Sequence, residues 1–267
     1  MSDDVNDRAL VLDGIDVHLG GVQILQGVSF DVRPGESFGI VGPNGAGKTT
    51  ILNVISGIVR PTAGTLRYGE VDLLGIRPHN IRKHGIGRGL QSTHYFRDLT
   101  ARQLVALGQL PNSIVGALAF SAHRRPAGRP GPDAATEALE QLGLTRHADR
   151  PLRELSSAVQ KLVDIARAVV AGTHLILLDE PTSGVSGQER GLIADALARL
   201  RRLGRTIVLI DHDPGFATSN CDRLMAMNFG QVLHVGTPAE VLNNEVVRRS
   251  YLGEADEEDE HQLGGTR

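Results

Sequence analysis

The segment GPNGAGKT, Gly42 to Thr49, fills the pattern G-x-x-x-x-G-K-[ST] completely. An apolar run, SFGIVG, leads into it, and KTTILNVISGIV follows with apolar positions at helical spacing. Residues of these types in this order suit a chain of phosphates. Glycines let the backbone curl until several N–H groups face one anion, and the start of a helix adds partial positive charge. Lys48 is then expected at the outer phosphates, and the Thr49 hydroxyl at a Mg2+ ion. The nucleotide-holding set reads Gly42, Asn44, Gly45, Ala46, Gly47, Lys48, Thr49 and Thr50.

Such a loop needs an acid to hold the metal. LILLDE offers one at the end of an apolar strand, where ligands of open α/β sheets collect. Asp179 is expected to hold Mg2+ through its water shell, and Glu180 to polarise an attacking water. His212, closing the strand TIVLID, is expected beside the terminal phosphate. Lys48, Glu180 and His212 therefore make up the expected catalytic set.

These residues need a sheet to bring them together. ALVLDGIDVHL and ILQGVSFDV read as strands broken by Gly20-Gly21, and RPGE as a turn before the strand SFGIVG. The helix that starts at Lys48 is expected to run to Arg60-Pro61. LTARQLVALGQL and DAATEALEQLGL read as helices, with the loop SAHRRPAGRPGP between them, most simply a solvated surface. AVQKLVDIARAVV places Val159, Leu162, Val163, Ala166 and Val170 on one helical face. The strand LILLD, the helix QERGLIADALARLRRL and the strand TIVLID then alternate, which predicts a mainly parallel α/β sheet flanked by helices. RLMAMNFGQVLHVG reads as a hairpin turning at Phe229-Gly230, and the acidic GEADEEDEHQLGGTR as a disordered tail.

The bulk numbers narrow the classes. The 267 residues, 40% hydrophobic and 22% charged, are enough for a proper core, and the net charge of -3 argues against a broad nucleic-acid footprint. Aromatics at 3%, with no Trp, speak against base-stacking platforms. The single Cys221 has no internal disulfide partner, which fits a reducing compartment. No signal peptide is expected from the polar, acidic MSDDVNDRAL, and no apolar run approaches the roughly 20 residues that span a bilayer.

In their order and spacing, GPNGAGKT, Gln91 followed by DLT, LSSAVQ, LILLDEPTSG and DHD resemble the ATP-binding subunits of ABC transporters. The resemblance covers roughly residues 9 to 253. It implies a P-loop NTPase (RecA-like) core lobe at about 9–90 and 160–253, with a mainly parallel sheet and an N-terminal antiparallel β subdomain. An inserted α-helical lobe at about 91–159 would touch integral-membrane permease subunits on the cytoplasmic face of the membrane. The acidic tail, 254–267, would follow this single domain. Also implied are ATP and Mg2+ as ligands, head-to-tail pairing with a second ATPase subunit, Gln91 as metal ligand and coupling sensor, and His212 as phosphate switch. ARQLVALGQL, GLTRHADRPLRELS and the ending GTPAEVLNNEVVRRSYLGEA look like the ATPases of branched-chain amino acid importers, which also imply an extracytoplasmic solute-binding protein. Urea and short-amide importers have similar ATPases.

Three places depart from the family pattern. The signature, expected to end in Gly-Gln, reads Leu155-Ser156-Ser157-Ala158-Val159-Gln160. Ser186 stands where an acid or amide is usual, and Leu19, with His18 one place off, where an adenine-stacking aromatic is usual. In this family the signature is a helix start aimed at the γ-phosphate held by the partner, so Ser156, Ser157 and Ala158 would serve the partner's site. Ser157-x-x-Gln160 has capping-box spacing, so the helix is expected to persist. Ala158 is expected to hinder close backbone approach, at a cost of about 1.5–3 kcal/mol for one lost charge-assisted hydrogen bond. Two functional readings follow: an importer ATPase in an unequal heterodimer (a homodimer being the alternative pairing), or a nucleotide-binding subunit with weak hydrolysis of its own. An ABC-type ATPase acting on nucleic acid is the poorest fit, for want of a second fused ATPase domain and basic regions.

Overall fold

The computed structural model describes residues 8–89, 96–108, 134–170 and 173–250. Gln91, the loop at 121–133 and the tail at 254–267 lie outside the described residues. In chain order the strands are β1 (Leu10–Leu19), β2 (Val22–Val32), β3 (Ser37–Val41), β4 (Ala63–Tyr68), β5 (Val71–Asp72), β6 (Ile86–Arg88), β7 (Leu175–Asp179), β8 (Thr206–Ile210), β9 (Arg223–Asn228) and β10 (Gln231–Gly236). The α-helices are α1 (Lys48–Ile55), α2 (Ala101–Leu107), α3 (Ala134–Gln141), α4 (Ser157–Val169), α5 (Arg190–Arg202), α6 (Pro214–Asn220) and α7 (Pro238–Asn243).

The strands form two sheets. One is antiparallel, in the order β2-β1-β4-β5; the other runs β10-β9-β3-β8-β7-β6 and is parallel except for the β9–β10 hairpin. The partial alternation of β1 has a structural cause. Leu12 pairs with Phe30 but Ile15 with Val28, so β1 carries one extra residue there. Gly14, at φ 61°, takes up the bulge, which returns Ile15 and Val17 to the buried face used by Leu10 and Leu12.

β3, β7 and β8 are buried along their whole lengths, as strands covered on both faces must be. Their alternation sorts side chains between two cores. Leu175, Leu177, Val208 and Ile210 join the core beneath the antiparallel sheet, together with Ile51, Leu52 and Ile55 of α1. Ile176, Leu178, Ile207 and Leu209 join the core formed with α2 to α6. Cys221 packs beside Gly39 of β3, and burial pushes its thiol up to about 12.

Local signals end or start the helices. α2 begins with a capping box between Thr100 and Gln103, and α7 with one between Thr237 and Glu240. Asp213 caps α6, accepting from the N–H groups of Gly215 and Phe216 ahead of Pro214 at the first helical position. α1 is shorter than its apolar pattern predicts, stopping at Ile55. Gly57 turns left-handed at φ 72°, and the Asn53 carbonyl accepts from both Ile58 and Val59, which closes the helix before Arg60-Pro61.

The capping box expected at Ser157 does not form. Ser156 is the N-cap of α4 and makes no side-chain capping bond. Gln160 instead turns its amide back to donate to the carbonyls of Leu152 and Leu155, each at 2.9 Å. Those carbonyls belong to the first residue and the C-cap of a short 3-10 turn, and the Leu152 carbonyl also accepts from Leu155 N at 3.0 Å.

α4 lies tight against the edge strand β6. A Cβ on Gly87 would stand 2.1 Å from the Ala168 carbonyl oxygen and 2.7 Å from Thr173 Cγ2. Gly87→Ala is therefore expected to lower stability by about 1–3 kcal/mol through overpacking. Urea denaturation checks this, and a midpoint equal to that of the unaltered chain would refute the close approach.

Candidate functional site

The parallel register brings the ends of β3, β7 and β8 to one edge of the sheet, with Asp179 opposite Ile210. At Gly42 the chain leaves β3 with φ 155°, where a Cβ would stand 2.2 Å from the Met227 carbonyl oxygen. Gly47, at φ 96°, precedes α1, and there a Cβ would meet Leu25 Cδ2 at 2.7 Å. Both positions thus exclude side chains for packing reasons as well as for backbone curvature. Asn44 and Gly45 form the exposed crown of the loop, Ala46 is buried beneath it, and Thr49 and Thr50 are half-buried in the first turn of α1.

No side chain caps α1, so its first N–H groups face outward for an anion. Lys48, only 6% exposed, curls back over the loop and donates to the carbonyls of Gly42 at 2.5 Å and Pro43 at 2.6 Å. The ammonium is thereby held above the same loop whose N–H groups point at a ligand.

Asp179 meets Thr49 across the loop, with Thr49 Oγ1 3.4 Å from Asp179 Oδ1. Two hard oxygen donors converge there, and among the described residues no group of three or more His, Cys, Asp or Glu could hold a metal. This donor set fits Mg2+, which keeps most of its waters and leans on substrate phosphates rather than on an all-protein cage. Gln91, the third expected ligand, lies outside the described residues.

Glu180 is one of two non-glycine residues with positive φ among the described residues, at 52°. Its N–H donates to Ile210 O at 2.8 Å, its carbonyl accepts from Ser183 N at 3.1 Å and from Lys161 Nζ at 3.3 Å. Functional sites are where such strain concentrates. The side chain is directed at His212, whose Nε2 lies 2.6 Å from Glu180 Oε1.

Sequence reasoning missed Asp211. Buried at 5% exposure, it accepts from Thr182 N, from Thr182 Oγ1 at 2.7 Å and from Asp213 N at 3.0 Å. It therefore pins the turn after Glu180 to the turn that carries His212. The signal was present as an acid closing the apolar strand TIVLI, but its partner 29 positions away was not legible. Lys161, on the Glu180 carbonyl, escaped for the same reason.

The signature region differs in part from expectation. Ser156 and Ser157 are exposed at the start of α4, whereas Ala158 is fully buried and Val159 nearly so within the helical core. Ala158 is thus packed into the helical core of this chain, and the exposed helix start is formed by Ser156 and Ser157. Ser186 is exposed and donates to Glu189 Oε2 at 3.1 Å, while its carbonyl accepts from Glu189 and Arg190 ahead of α5. Leu19 is 47% exposed, and His18 is engaged through Nδ1 with Thr62 Oγ1 at 3.1 Å.

Asp211→Ala strands the Thr182 hydroxyl and two backbone N–H groups in a buried place. It is expected to cost about 1–3 kcal/mol. Urea denaturation measures the loss, and retention of the full midpoint would show that Asp211 does not clamp the two turns.

Comparison with known proteins agrees with this geometry. The family model described as ABC transporter matches residues 25–183, and that described as Branched-chain amino acid ATP-binding cassette transporter matches residues 235–257. The chain is 34% identical over 250 residues to the high-affinity branched-chain amino acid transport ATP-binding protein LivG of Salmonella typhimurium, covering 92% of this chain and 98% of that one. It is 32% identical over 251 residues to the corresponding protein BraF of Pseudomonas aeruginosa, with the same shares covered. Among solved structures, the ADP conformation of an ATP-binding cassette of an ABC transporter superposes with a TM-score of 0.80 at 28% identity, over 92% of this chain and 99% of that one. With its phosphate loop, strand-end acids and histidine gathered at one sheet edge, the chain belongs to the ABC transporter ATP-binding family.

Proposed function

We propose that this chain is the ATP-hydrolysing subunit of an ABC importer for branched-chain or related amino acids. The observation that carries the enzymatic part is Glu180 held 2.6 Å from His212 at the strand ends beside the phosphate loop. The names of the relatives and the match at residues 235–257 support the transported class. Among the described residues no helix is long and apolar enough to cross a membrane. Separate integral-membrane permease subunits form the path for the solute. The chain then works at the cytoplasmic face, served indirectly by an extracytoplasmic solute-binding protein.

The backbone N–H groups of the loop and the start of α1 bind the phosphates, and Lys48 shifts from the Gly42 and Pro43 carbonyls to the outer ones. Thr49 and Asp179 would hold Mg2+, which neutralises charge on the phosphate oxygens when bound. Glu180 orients a water and takes its proton as the water oxygen bonds to the terminal phosphorus and the bond to the ADP oxygen breaks. His212 leaves Glu180 and donates its N–H to the terminal phosphate, so the pair seen here is the resting arrangement. Each nucleotide site is completed by the signature of the other subunit in a head-to-tail pair, and this chain contributes Ser156 and Ser157 to the partner's site. Val159 and Ser186, at positions where the family usually carries Gln and an acid or amide, support pairing with a different subunit; the buried Ala158 does not bear on it.

Glu180→Gln tests this in proteoliposomes holding the permeases and both ATPase subunits. Hydrolysis and leucine uptake are expected to fall at least about a hundredfold with nucleotide binding retained. Turnover that survives the change would overturn the assignment of the base. Equal losses from this change and from its counterpart in the other subunit would count against unequal sites.

A further inference from the structure

Arg88 ends β6 and commits its guanidinium in three directions. Nη1 donates to Asn53 Oδ1 at 2.7 Å and to Ser56 Oγ at 2.8 Å, both at the C-terminal end of α1. Nη2 lies 3.6 Å from Asp179 Oδ2. That is the oxygen not turned to Thr49, which faces Oδ1. The backbone of Arg88 is fixed as well, since the residue pairs with Leu177 of β7 and its carbonyl accepts from Arg167 Nη2 at 2.9 Å. Arg167 in turn is anchored by the buried Asp164 at 3.0 Å. The Asp179 side chain is 1% exposed and that of Arg88 17%, so solvent screens the pair weakly.

We propose that Arg88 is a positioning residue for Asp179. A rigid planar fork can satisfy the end of the phosphate-loop helix and the carboxylate at once, which a lysine ammonium on a flexible stem cannot. By taking Oδ2, Arg88 keeps Oδ1 turned to Thr49. Through Asn53 and Ser56 it also fixes the spacing between α1 and the end of β7. This inference rests on the proposed role of Asp179 as metal holder and extends it to the group behind that carboxylate.

Two effects of removing Arg88 oppose each other in sign. Losing a positive charge beside a cation site tightens Mg2+ binding, whereas losing orientation of the ligand weakens it. Partners behind metal ligands are commonly worth about 10–100-fold in metal affinity, so orientation is expected to win. Lysine separates the two effects, because Arg88→Lys keeps the charge and removes the fork.

The test uses the full chain with Arg88→Gln, Arg88→Lys and Asp179→Asn. Calorimetry follows binding of a non-hydrolysable ATP analogue across a Mg2+ titration and in EDTA. Both Arg88 variants are expected to raise the half-saturating Mg2+ concentration about tenfold, with affinity in EDTA unchanged. If Arg88→Gln lowers that concentration while Arg88→Lys leaves it alone, Arg88 is a counter-charge only and the proposal fails. No shift in either Arg88 variant, alongside a large one in Asp179→Asn, also overturns it. Should Asp179→Asn leave the Mg2+ dependence untouched, the metal role of Asp179 falls first and the proposal with it. If Arg88→Gln does not fold, Arg88→Lys alone still decides, since only loss of the fork predicts its shift.

Discussion

The phosphate loop takes its shape from the backbone of the β9–β10 hairpin lying directly on it. Gly42 leaves no room for a side chain under the Met227 carbonyl. Gly230 N donates to Ala46 O at 3.1 Å, and Gln26 N of β2 donates to Gly230 O at 2.9 Å. One line of backbone hydrogen bonds therefore joins the antiparallel sheet, the hairpin and the loop. Because the groups are main-chain, the hairpin holds the loop without calling on side chains. Within the loop Lys48 adds a second restraint through the Gly42 and Pro43 carbonyls, and the N–H groups at the start of α1 have no side-chain cap. Phe229 at the hairpin tip, with φ 43°, is the second strained residue of the described set and belongs to this same contact.

Three acids at and behind the site need a different kind of restraint, because they are buried. Asp179, Asp164 and Asp211 are each under a tenth exposed, and each is answered by specific donors: Arg88, Arg167 and Thr182. An unanswered carboxylate at such depth costs several kcal/mol, so removing one partner is worse than never having had the pair. These pairs also reach across elements, from β6 to β7, within α4 and on to β6, and from β7's turn to that after β8. The same contacts that offset desolvation hold the strand ends, and with them Glu180 and His212, in mutual register.

How much of this was legible in the sequence depends on the range of the interaction. Gly42 to Thr49, the strand-end acids and the parallel alternation were readable, because backbone curvature, strand burial and helix starts leave their marks within a few residues. The bulge at Gly14 blurred β1 without hiding it. What went wrong was decided by distant groups. The apolar rhythm of α1 carries on into Ile58 and Val59, yet Gly57 and the packing of Ile76 against it end the helix sooner. Gln160 has the spacing of a capping residue, but the carbonyls of Leu152 and Leu155 in the preceding turn take its amide. No local pattern marks Arg88; only the fold puts Asn53, Ser56 and Asp179 around it.

Ala158 shows why a motif departure has to be weighed by direction as well as by identity. A methyl in place of glycine obstructs a ligand only if the Cβ points toward that ligand. On α4 the exposed start belongs to Ser156 and Ser157, while Ala158 and Val159 lie on the face that packs with Leu162 and Val163 in the helical core. Helical geometry makes this necessary: residues at the second and third positions share the inward stripe with those four further on. No side chain caps the first turn, since Ser156 makes no capping bond. The side-chain change at 158 is therefore absorbed by the helical core, and the exposed start of α4 is left to Ser156 and Ser157.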